Sequence, residues 1–200
     1  WEELLKFTKY FSDDLGFIFR GQSDSEWPLT SSLERFLNKL HPGLRNDTVY
    51  ATHLKNFVES LRGRGVNYIN LSNNELWALG QHYGLFTPLL NWTYSFQIAL
   101  YFSFYEDITP KSGLRTVYAL HKKSTLDKSI IYNKSKSEYQ RFELVESMSN
   151  ENPRIINQAG LFTKIPFSFN LQNWIAENFI GTTDAAYFFK INIPDSERMR

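Results

Sequence analysis

A chain of 200 residues with 42% apolar residues and a formal net charge of +1 is long enough to bury the core of one domain, taken to span residues 1–200. The near-neutral charge excludes a protein held to nucleic acid mainly by bulk electrostatics, and the lack of cysteine excludes disulfides, a thiol nucleophile and a zinc–thiolate centre. No apolar run reaches the length of a membrane span and no secretory signal is visible, so a cytoplasmic, reducing setting with no membrane partner is expected.

In chain order, residues 1–8 are amphipathic, with Trp1, Leu4, Leu5 and Thr8 on one face. The chain opens inside this helical pattern and stops at Arg200, which reads as an excerpt. The apolar run Gly16-Phe17-Ile18-Phe19 predicts a buried strand that ends by delivering Arg20, Gly21 and Gln22. Ser31-Ser32-Leu33-Glu34 has the form of a capping box and predicts a helix from Ser31 to about Leu40, broken at His41-Pro42-Gly43. Tyr50, Leu54, Phe57, Val58 and Leu61 share one face of a second helix. Asn73-Asn74-Glu75 starts a third, which Gly84 ends. Thr93 or Ser95 can cap a fourth, residues 96–104, which is apolar nearly all round and so expected to be buried. Residues 115–121 alternate as a strand. Residues 122–152 carry no clear period; 162–169 look extended, 171–179 helical and 185–193 extended. Helices first, then strands mixed with helices, predict an α+β fold with helices packed on a small, mainly antiparallel sheet.

Two distant blocks carry the chemistry. The first is Phe19-Arg20-Gly21-Gln22, in which a planar guanidinium suited to phosphate or carboxylate stands beside a residue that permits close approach. The second is Gln81-His82-Tyr83-Gly84-Leu85, followed by Leu89-Leu90-Asn91-Trp92-Thr93 and Ala99-Leu100-Tyr101-Phe102. Together with Trp27-Pro28-Leu29, Ser32-Leu33-Glu34-Arg35 and the late Gln158-Ala159-Gly160-Leu161-Phe162-Thr163, these blocks resemble the FRG domain family, in that order. The sequence departs from the family pattern in three places. Phe86 and Pro88 stand where proline and arginine are usual, and Asn91 stands where aspartate is usual; an amide cannot act as a general base.

The resemblance extends more remotely to ADP-ribosyltransferases. It implies an ADP-ribosyltransferase-like fold, NAD as ligand and substrate, and transfer of ADP-ribose to a protein or nucleic acid by a bacterial toxin or phage-defence effector. Arg20 then matches the early arginine of that group, and Thr93 its later serine or threonine. Gln158 is the nearest motif residue to its glutamate, with Glu143 and Glu146 as weaker matches. In this reading Arg20, His82 and Gln158 are the catalytic candidates. Arg20, Gly21, Gln22, Arg35, His82, Tyr83, Gly84, Trp92 and Thr93 are the nucleotide-binding ones.

Each residue also has a structural reading. Arg20 can clamp a carbonyl or pair with a carboxylate, His82 can bond a backbone carbonyl, and Tyr83 and Trp92 can pack in the core. Thr93 can cap a helix, Gln158 can serve a turn, and Arg35 can pair with a carboxylate. The four histidines lack metal-ligand spacing, so no metal is expected. The alternative function is a non-catalytic sensor or interaction module that recognises a nucleotide, a peptide or an RNA end.

Overall fold

The computed structural model describes residues 6, 9, 11, 16–40, 43, 46–146, 161–167, 169–179 and 187–197. Among them the fold is α+β with two small antiparallel sheets, where the sequence suggested one. The first sheet has the order β1 (Phe17–Gln22), β3 (Leu114–His121), β6 (Phe188–Pro194). The second has the order β2 (Leu89–Trp92), β5 (Leu161–Lys164), β4 (Glu143–Glu146). The α-helices described are α1 (Ser32–Leu40), α2 (Asp47–Ser60), α3 (Asn73–His82), α4 (Phe96–Tyr105), α5 (Lys122–Asn133) and α6 (Leu171–Asn178).

Strand alternation sets three packed layers. Phe17 and Phe19 on β1 join Val117, Ala119, Ile191 and Ile193 beneath α4. Ile18 faces the other way, into a core with Tyr118, Leu120, Leu90, Trp92, Leu161 and Trp174. There the Trp174 ring stacks on Phe142 at 3.9 Å. Leu89, Val145 and Phe162 cover the far side of the second sheet, against α1, α2 and α3.

Three departures from the sequence reading bear on function. First, β1 does not stop at Phe19. Its ladder continues from Phe17↔His121 to Gln22↔Thr116, so Arg20 lies within the strand, opposite Tyr118. The apolar signal ends earlier than the strand because the last residues are polar while their backbone stays paired. Second, α4 is not buried all round. Phe96, Ala99 and Ser103 are buried, while Tyr101 and Tyr105 are 60% and 63% exposed, because the helix covers one face of the first sheet and turns its other side outward. Third, the unassigned region holds α5 and β4.

Local capping largely follows the sequence. Ser31 Oγ accepts from Glu34 N at 3.3 Å, but the Glu34 carboxylate accepts from the Tyr50 hydroxyl on α2. Ser72 and Glu75 complete a capping box on α3. Ser95 caps α4, with Ile98 N donating to its Oγ at 3.2 Å. Thr93 Oγ1 accepts instead from Ser95 N at 3.1 Å.

Candidate functional site

Among the described residues, one isolated bridge links the backbones of the two sheets. Phe19 N donates to Thr93 O at 2.7 Å, and Thr93 N returns a bond to Phe19 O at 2.9 Å. Beyond that pair β1 and β2 part, and a cavity of about 720 Å³ opens between them. Its wall on β1 is the segment from Phe19 to Gln22; opposite lie Asn91, Trp92 and Thr93. Trp27, Phe102 and Tyr105 form an aromatic side, and Arg35 and Glu106 line it too.

Arg20 occupies the gap. Its Nη1 donates to the Asn91 backbone carbonyl at 2.9 Å, and its Nε is buried with no partner among the described residues. Burial lowers its pKa to about 10, and the charge of Arg35 adds to this; Tyr118 acts in the opposite sense. Burial likewise pushes the Tyr118 phenol up to about 12, so it stays neutral beside Arg20. Arg35 donates to Thr30 O at 2.5 Å. Its pKa is lowered by burial and partly restored by Glu106. Two guanidiniums held close to each other, with one carboxylate lining the same space, make a site that favours an anion.

Gly21 is explained by the other face of β1. A Cβ there would stand 2.0 Å from Ala99 O and 2.6 Å from Ser103 N, so α4 rests directly on the strand backbone. Gln22 is 7% exposed; its Nε2 donates to Pro28 O at 3.5 Å, and its Oε1 is buried without a donor among the described residues.

A smaller cavity of about 310 Å³ adjoins the first and shares Arg20, Arg35 and Asn91 with it. Ser32, Gln81, Gly84 and Phe86 are among its other lining residues. Gln81 links the motif blocks here: its Oε1 accepts from the Thr87 hydroxyl, and its Nε2 donates to Asn91 Oδ1. The late segment joins through β5, where Trp92 pairs with Leu161 and the Trp92 indole donates to Thr163 Oγ1 at 3.0 Å.

Residues 16–112 match the family model described as the FRG domain. This stretch is an FRG domain. No curated protein and no solved structure matches the chain. The FRG domain supplies both walls of the gap, from β1 through α4. Leu161, Phe162 and Thr163 come from beyond the matched residues and close the site through β2.

Of the residues singled out in the sequence, the structure gathers Arg20, Gly21, Gln22, Arg35, Trp92 and Thr93 around the larger cavity. Gly84, with φ of +82°, lines the smaller one. His82 and Tyr83 lie exposed at the end of α3, ring against ring at 5.4 Å, and line neither of these cavities. Gln158 lies outside the described residues. Glu143 pairs with Lys164, and Glu146 with Lys122. The Lys122 bond also holds the Glu146 carboxyl below its ordinary range. Neither glutamate lines these cavities, whereas Glu106 does.

Sequence reasoning passed over Glu106 and Gln81 as site residues. Gln81 was visible in the histidine block, though its role needs Asn91 and Thr87 folded against it. Glu106 follows the last residue of α4 and had no motif to mark it. No group of three or more His, Asp or Glu among the described residues could hold a metal ion. No described helix is long and apolar enough to cross a membrane.

Proposed function

We propose that the FRG domain binds NAD or a related nucleotide in the cavity between β1 and β2, and that it transfers ADP-ribose from NAD to a macromolecule as a toxin or phage-defence effector would. The observation that supports this reading is Arg20: a guanidinium inside the gap, with its Nε buried and unpartnered among the described residues. Such a group favours a bound anion, which supplies the missing acceptors. A pyrophosphate at Arg20 and Arg35 fits that need. The aromatic side of Trp27, Phe102 and Tyr105 suits the flat face of a base.

In the transfer, the bond between nicotinamide and ribose C1′ breaks, and nicotinamide leaves with the bonding pair. The lone pair of an acceptor N–H or O–H forms the new bond at C1′, and that group releases its proton. Positive charge builds on the ribose meanwhile, and Glu106 is the carboxylate that lines the cavity to oppose it.

Asn91 favours a second reading, a module that binds without turnover. It stands where the resemblance has aspartate, and its Oδ1 accepts from Gln81. Calorimetric titration with NAD tests binding, and release of nicotinamide tests catalysis. Heat on titration with nicotinamide release is the expected result. Binding without release selects the second reading, and no binding removes both as they concern NAD.

A further inference from the structure

Resting on that nucleotide reading, we propose that Gln22 recognises a ribose hydroxyl and makes the cavity selective for a ribonucleotide over its deoxy counterpart. Gln22 is 7% exposed, and its Oε1 is buried without a donor among the described residues. The Pro28 carbonyl, 3.5 Å from Nε2, favours this orientation of the amide, because exchanging the two ends would set oxygen against oxygen. A buried amide oxygen with no donor destabilises a fold. Gln22 is one of the residues that line the cavity, and a small turn of its side chain would bring the oxygen to a ligand that supplies the donor.

Arg20 stands two residues earlier on the same strand. Residues i and i+2 share one face of a strand and lie about 6.6 Å apart. β1 thus carries a guanidinium suited to an anion and an unpartnered acceptor side by side. A ligand that satisfies both carries a negative group and, a few bonds away, a hydroxyl or N–H donor. The phosphate and ribose diol of a nucleotide have this arrangement. Inorganic phosphate occupies only the Arg20 half.

The test uses NAD and four analogues, lacking the 2′ or 3′ hydroxyl on either ribose, titrated against the wild type, Gln22→Met and Gln22→Leu. On the wild type at least one analogue binds about tenfold more weakly than NAD, the loss that follows when a buried acceptor is left without its donor. On Gln22→Met, which is apolar and close in shape, that analogue and NAD bind alike. On Gln22→Leu, which also lacks an acceptor, the two bind alike as well. Without ligand, Gln22→Met melts at the wild-type temperature or above, whereas a residue retained for the fold would melt below it. An unchanged analogue ranking on Gln22→Met overturns the proposal. If that variant does not fold, an unchanged analogue ranking on Gln22→Leu overturns it. Failure of NAD to bind the wild type instead removes the nucleotide reading beneath it.

Discussion

Arg20 places one N–H on the Asn91 carbonyl and keeps its Nε buried, so the charge sits in the gap with few of its donors used. An arginine kept for stability normally has a carboxylate partner or several carbonyls. Arg115 illustrates that case: it is fully buried, with its Nε on Asp195 and its other nitrogens on the carbonyls of Ser103, Glu106 and Ile108. The contrast predicts opposite outcomes for the same substitution. Arg20→Met removes a desolvated charge, so its melting temperature is expected to match the wild type or exceed it. Its affinity for NAD falls about 100-fold, the worth of charge-assisted bonds to a phosphate. Arg115→Met leaves four acceptors without donors and costs about 3 kcal/mol, read as a lower urea midpoint at unchanged slope. If Arg20→Met were the destabilised variant, Arg20 would be a clamp and the gap would lose its anion site.

At the scale of elements, β1 and α4 depend on one glycine. Gly21→Ala puts a methyl into the α4 backbone at Ala99, and backbone cannot swing aside as a side chain can. The expected loss is about 3 kcal/mol, a fall of roughly 6–12 °C in melting temperature for a chain of this size. Sequence alone showed that a glycine follows Arg20, but not whether a ligand or a helix needs the space; the structure assigns it to the helix. The same limit explains the other differences. The polar tail of β1 is a strand because β3 pairs with it, a non-local fact. The strands β2 and β4 are four residues each, too short for a period to register. The buried Arg115 looked like any polar position in an alternating run. What was legible was local: the caps at Ser31 and Ser95, the inward face of α2, and the motif blocks in the order of the FRG family. Their meeting at Asn91 became visible only once β1, α3 and β2 were brought together.

For the whole molecule, Arg20 and Arg35 both line the gap between the sheets, and pH gives a handle on that charge. The Arg20 pKa is lowered to about 10, first by burial and then by Arg35. The folded state therefore disfavours its charged form. That penalty is fully present at neutral pH and is relieved as pH rises through 10 toward the higher unfolded value. Tyr118 has the opposite sign. Burial raises it from 10.0 to about 12, so the folded state disfavours tyrosinate and loses stability as pH climbs between those values. Without ligand the two contributions oppose each other above pH 10. Arg20→Met removes only the relief, so its melting temperature is expected to fall more steeply than that of the wild type between pH 10 and 12, with Tyr118→Phe shallower than both. A bound pyrophosphate reverses the logic at Arg20. It stabilises the cation and moves its pKa back up, so affinity depends on the free protein holding the proton. Affinity for NAD is expected to stay level from pH 7 to about 9 and then to drop up to tenfold per unit above about 10, the slope set by uptake of one proton on binding. A titration series across that range at constant ionic strength measures it. A level curve to pH 11 would mean that the anion does not sit on Arg20, and would move the ligand away from β1.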